Sequence, residues 1–295
     1  LVGNKIVIFF AVSSSVSGLL VPLNDPEAVL IAMLAKAFGI PLIESRQPHG
    51  ASLDQEPEIV KKIQAAGWKR VRIVEMPGLK TEATLRRRGT EVEVIDHHAY
   101  GNLDRSRHAK TRKSLPSSLE QFLTRFRITD ARLCARGFDP KFVRGIGIMD
   151  RGFVWALQEE GYSASDIREV LRYRDQLMRP YTDPREETKE RGAADRAWKQ
   201  RKMWKGFLVV TTGSVYGIRW RISERIASHL KHPVPLMLWA PKRGVIYVQE
   251  SAFSERLFQK FGGFTFGTKR NWGYKNEPGK RRITLKDVKQ MITLL

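Results

Sequence analysis

Residues 71–98 read VRIVEMPGLKTEATLRRRGTEVEVIDHH. A short β-branched run breaks at Pro77-Gly78, and the polar stretch that follows ends on Arg86, Arg87 and Arg88, where cations suit the carboxyl end of a helix. An alternating EVEVI run then leads into Asp96, His97 and His98. Strand, helix and strand in so short a span make a βαβ unit, and two strands joined through a helix run parallel. Working outward, PEAVLIAMLAKAFG (26–39) and EIVKKIQAAGW (58–68) carry helical periodicity. The uncharged stretch from Ile6 to Leu23 is interrupted by serines and a glycine, so it reads as one or two buried strands with a turn rather than as a signal or membrane segment.

Further along, 117–126, 141–161 and 163–178 read as helices covering that sheet, with Ser165 as the N-cap of the last. A charged stretch follows, then strands at 206–213, 233–241 and 244–250 with a helix at 221–230. The expected fold is α/β: a parallel-sheet N-terminal domain over 1–178, a charged helical linker over 179–205, and a smaller α/β domain over 206–295.

Charge is the compositional anomaly. Lys and Arg number 52 against 31 Asp and Glu, and the resulting net charge of +21 attracts polyanions, with a heat- or salt-adapted surface as the other reading. The single cysteine, Cys134, excludes an intrachain disulfide framework and fits a reducing, cytoplasmic interior, where it reads as a small packed residue. His229 and His232 flank a helix end and suit capping or packing, while His49 and His108 read as surface groups.

In a parallel sheet ligands gather at the carboxyl ends of the strands. Asp96 stands at one such end and Glu75 at another. Around them the chain resembles the DHH phosphoesterase family, named for the triplet seen here as Asp96-His97-His98. The resemblance extends to Asp25-Pro26-Glu27-Ala28 at the first helix, Glu75, Ser117-Ser118 with Glu120, Asp150-Arg151-Gly152-Phe153, and Phe261-Gly262-Gly263. It implies one or two Mn2+ or Mg2+ ions, with Asp25, Glu27, Glu75, Asp96, His97 and Asp150 as the metal-binding set. Asp96 would orient a histidine, and with His98, which contacts or protonates the phosphate, would form the catalytic pair. Gly262 and Gly263 would begin a substrate loop.

Three features depart from the family pattern. Asn24 and its predecessors lack the usual histidine, Glu27 and Glu75 stand where the family has aspartates, and Phe264-Thr265-Phe266 replaces a further glycine and a phosphate-touching histidine.

Two basic runs suit a polyanion. Arg105, Arg107, Lys110, Arg112 and Lys113 follow the triplet, and Lys269, Arg270, Arg281 and Arg282 are interleaved with Trp272 and Tyr274, as in surfaces that pair phosphates with cations and bases with rings. The expected activity is a manganese-dependent, exonuclease-like phosphodiesterase acting on single-stranded RNA or DNA or on a related nucleotide. The alternatives are a catalytically degenerate DHH-like subunit that binds nucleic acid or joins a nucleoprotein assembly, and a cyclic-dinucleotide phosphodiesterase. No membrane partner is expected.

Overall fold

The computed structural model describes residues 17–98, 115–267 and 270–294. The first part of the chain runs β1 (Ser17–Pro22), α1 (Pro26–Ala37), β2 (Leu42–Ser45), α2 (Ile59–Ala65), β3 (Arg70–Val74), α3 (Leu79–Arg87) and β4 (Glu91–Ile95). These four strands form one parallel sheet in the order β2-β1-β3-β4, so the βαβ reading of 71–98 describes β3, α3 and β4. The beginning of the Ile6 to Leu23 stretch lies outside the described residues; the rest of it contains β1. β2 was not foreseen, because four residues are too few to show a period.

Helices α4 (Ser118–Arg125), α5 (Asp130–Ala135), α6 (Pro140–Glu159) and α7 (Ala164–Met178) follow. A reciprocal capping box between Ser117 and Glu120 starts α4. The cap of α7 is Ser163, not Ser165: Ser163 pairs with Asp166 in its own capping box, which satisfies two backbone donors at once. Cys134 is also corrected, since it sits on the solvent side of α5 rather than in the core.

The remaining elements are α8 (Pro184–Lys199), β5 (Lys202–Trp204), β6 (Phe207–Thr211), α9 (Arg219–Leu230), β7 (Leu236–Ala240), β8 (Val245–Gln249), α10 (Ser254–Phe261), β9 (Phe264–Phe266), β10 (Asn271–Lys275) and α11 (Leu285–Thr293). Their strands make a mixed sheet in the order β5-β6-β7-β8-β10-β9, in which β6 and β7 run parallel. Within the range read as linker, α8 buries Ala193, Ala194 and Ala197 in the apolar cluster that also holds Leu19, Leu30, Phe122 and Val210. A second cluster surrounds Trp272, between the mixed sheet and α11. Among the described residues no helix is long and apolar enough to cross a membrane.

Candidate metal centre

The carboxyl ends of three parallel strands deliver the candidate residues. β1 leads to Asp25, which caps α1 by accepting the Ala28 N–H at 2.8 Å and so carries the helix on which Glu27 sits. β3 ends at Glu75, whose backbone holds a left-handed φ of 48°. β4 leads to Asp96, His97 and His98. Asp150 comes from α6, where the helix breaks immediately afterwards at Gly152 and Phe153; Phe153, with φ 59°, is packed edge-on against Trp220 of α9. Strain of this kind persists only where its surroundings enforce it. Gly147 of α6 leaves space for the Ser117 hydroxyl, which lies 2.5 Å from where a Cβ would stand.

The side chains converge. Two groups, Glu75 with His97 and His98, and Glu27 with Glu75 and Asp150, each offer ligand atoms within 4.8 Å of one another. His97 Nε2 lies 3.1 Å from Asp150 Oδ2, 3.7 Å from Glu75 Oε1 and 3.1 Å from His98 Nε2. Two imidazole nitrogens at that distance have room for one proton between them, so one ring donates and the other accepts. Glu27 is 2% exposed; its Oε1 accepts the Leu119 N–H at 2.9 Å, whereas Oε2 is buried with no hydrogen-bond partner among the described residues. A buried carboxylate oxygen left bare is costly unless a cation satisfies it.

Asp25 and Asp96 stand outside both groups. Asp96 is turned to His98, accepting its backbone N–H at 2.7 Å and facing its Nδ1 at 3.0 Å, so it orients the exposed histidine. Ser118 Oγ donates to Glu75 Oε1 at 2.7 Å, which gives the Ser-Ser-x-Glu motif both its cap and a hold on the cluster.

Electrostatics reflect the crowding. Burial, then the Asp150 charge, raises both Asp25 and Glu27, Glu27 well above its ordinary value. The same causes, joined by Asp25, push Glu75 up to about 7. Burial works against the charged form of His97, but its hydrogen bond to Asp150 and the Asp150, Glu75 and Glu27 charges raise it well above the ordinary histidine value. Burial likewise opposes Asp150 ionisation and is outweighed by the His97 hydrogen bond and the charges of His97 and His98, so Asp150 is lowered. A hard divalent cation suits this set of carboxylate oxygens and imidazole nitrogens.

His49, exposed as expected, nevertheless stands near enough for its charge to lower Asp25 and Asp150. It lies beyond β2, the neighbour of β1, on a stretch tied to Asn24 by the Asn24 Nδ2 bond to the Pro48 carbonyl at 3.1 Å. Arg219 is a second residue that sequence reasoning missed. Its guanidinium is half-buried, 4.7 Å from the Phe266 ring and 5.6 Å from the Tyr247 ring, and burial lowers its pKa.

The basic and aromatic track is partly corrected. Arg105, Arg107, Lys110, Arg112, Lys113 and Lys269 lie outside the described residues. Arg270, Arg281 and Arg282 are exposed, with Arg270 Nε 3.5 Å from Glu250. Trp272 and Tyr274 cannot stack on bases. Trp272 is 0% exposed and its Nε1–H donates to the Gly262 carbonyl at 2.8 Å, while the buried Tyr274 donates to the Arg281 carbonyl at 2.7 Å. Gly262 and Gly263 serve the same packing: Gly262 caps α10, and a Cβ at Gly263, where φ is 90°, would lie 2.3 Å from the Gly273 carbonyl oxygen. Trp272→Ala is therefore expected to cost about 3–5 kcal/mol in urea unfolding. Unchanged stability with weakened oligonucleotide binding would restore the stacking role.

The architecture and the cluster together define an α/β protein with an acid–histidine centre at the carboxyl ends of a parallel sheet. No family model and no curated protein matches the chain. Among solved structures it is similar to the exonuclease RecJ bound to manganese, at 15% identity and a TM-score of 0.42 over 88% of this chain and 86% of that one. It is also similar to the pGpG-specific phosphodiesterase PggH from Vibrio cholerae, at 12% identity and a TM-score of 0.41 over 94% and 97%. An exopolyphosphatase-related protein from Bacteroides fragilis is similar at 12% identity, with a TM-score of 0.47 over 94% and 91%.

Proposed function

We propose that the protein is a metal-dependent phosphodiesterase acting on short single-stranded RNA or DNA or on related nucleotides. The observation that carries this reading is the gathering of Glu75, His97 and His98, and of Glu27, Glu75 and Asp150, into two groups that share Glu75, with one buried carboxylate oxygen left bare among the described residues. Residues 1–178 would form the catalytic part and 206–295 the substrate-binding part.

Glu27, Glu75, His97 and Asp150 would hold Mn2+ or Mg2+, as one ion or two, with Asp25 near enough to feel the Asp150 charge. A bound divalent ion would polarise the phosphoryl oxygens and acidify the attacking water. Asp96 holds the His98 ring through Nδ1, and the His98 side chain is 43% exposed, so it is placed to reach a phosphate. In this reading protonated His98 donates to a phosphate oxygen or to the leaving group. Buried His97 instead keeps its contact with Asp150 and stays with the cluster.

The test incubates the intact chain with end-labelled short RNA and DNA, in manganese or in chelator, and resolves the products by length. Metal-dependent shortening that His98→Ala slows by about 100-fold or more is the expected result. Oligonucleotide that is bound but never shortened would replace this reading with that of a degenerate binding subunit.

A further inference from the structure

A cleft of about 720 Å3, lined by none of the metal-centre residues, lies between α8 and the loop that leaves β6. One face of α8 lines it with Lys189, Gly192 and Arg196 at helical spacing. The opposite wall comes from Thr211, the last residue of β6, through Tyr216, and from Lys242, after β7. β6 and β7 are parallel neighbours, so this wall is built from the carboxyl ends of adjacent parallel strands, where α/β sheets place ligands.

The lining is one-sided in charge. It contains Lys189, Arg196 and Lys242 and no carboxylate, and among the described residues none of these cations has an ion-pair partner. Surfaces of soluble proteins ordinarily mix the two signs. Hydroxyls add donors: Thr212 Oγ1 accepts the Ser214 N–H at 3.1 Å and Ser214 Oγ accepts the Tyr216 N–H at 3.0 Å, which leaves both O–H groups to donate. Tyr216 supplies a ring, with Lys189 Nζ 5.9 Å from its centroid.

Gly192 is the second indication. A glycine inside a helix costs about 1 kcal/mol relative to alanine. Here a Cβ would meet only Arg196 Nη1, at an ordinary 3.5 Å, so packing does not demand glycine. Its effect is to deepen the floor of the cleft beside the Arg196 guanidinium.

We propose that this cleft is a second nucleic-acid site, which takes the phosphodiester backbone of a single strand on Lys189, Arg196 and Lys242. A volume of about 720 Å3 suits a segment of a few nucleotides, with a base able to lie on Tyr216. Binding here requires neither metal nor turnover, so it is tested apart from the hydrolytic reading.

Anisotropy of a labelled single-stranded 12-mer is measured in chelator with the intact chain. Arg196→Ala/Lys242→Ala is expected to weaken binding about 10-fold or more and to lower the salt slope by about 1.4. Gly192→Leu fills the cleft without changing charge and is expected to weaken the same complex while leaving thermal stability intact. Lys69→Ala/Lys80→Ala removes equal charge elsewhere and should have a smaller effect. Equal losses in that control pair and the cleft pair, an unaffected Gly192→Leu protein, or equal competition by an acidic peptide of matched charge would each overturn the proposal.

Discussion

Asp150→Ala is expected to reduce metal-dependent hydrolysis well beyond the roughly 10–100-fold that loss of a metal's outer-shell partner costs, while oligonucleotide binding in chelator stays within about twofold. Asp150 is the acid on which the cluster turns. It faces His97 at 3.1 Å, belongs to one of the two candidate ligand groups, and its charge raises Asp25, Glu27 and Glu75. Asp150→Asn, which keeps the shape and can still bond His97, separates chemistry from folding. It should unfold close to the parent yet lose manganese-induced stabilisation. Parental turnover in either variant would remove the centre assigned here.

Manganese should protect the protein against heat far more at pH 8 than at pH 5.5. Glu75 titrates at about 7 in the folded chain against an ordinary 4.5, so the folded state holds a proton that the unfolded state releases between those values. The stability this group contributes is complete below pH 4.5 and is lost as pH rises through about 7. Glu27, Asp25 and His97, all raised, act in the same direction; Asp150, lowered, acts oppositely, losing its contribution only as pH falls through its folded value. Without a divalent cation, stability therefore falls from mildly acidic to alkaline pH. A cation must displace these protons, so its affinity grows over the same interval. A hundredfold excess over Kd adds about 2.7 kcal/mol, a rise of several degrees in melting temperature. Calorimetry at both pH values with manganese or chelator checks this. A metal shift independent of pH would mean that these acids are not displaced by the ion.

The parts of the fold and site that could be read from sequence are those set by local pattern. The β3–α3–β4 unit shows its periods and its break, and Asp25, Glu75 and the Asp96 triplet all follow strands whose carboxyl ends share one edge of the sheet. What could not be read depends on neighbours distant in the chain. His49 reaches the cluster's field because β2 lies beside β1. Arg219 is one arginine among many until Phe266 and Tyr247 are folded against it. The rings of 264–274 alternate with polar residues as they would in a stacking surface, but the same period places alternate side chains of a strand in a core, and β10 puts Trp272 there. Burial, not composition, separates the two.

Glu75 holds a left-handed backbone that glycine or asparagine would adopt at less cost, and its half-buried carboxylate is repelled by Asp150 and Asp25. Conformation and the neighbouring carboxylates both press for another residue; the Ser118 hydrogen bond, the His97 and His98 charges and a demand for that oxygen atom press back. Directed evolution for heat resistance alone, in chelating medium, would therefore drift this position toward glycine and discard the centre while keeping the sheet that carries it.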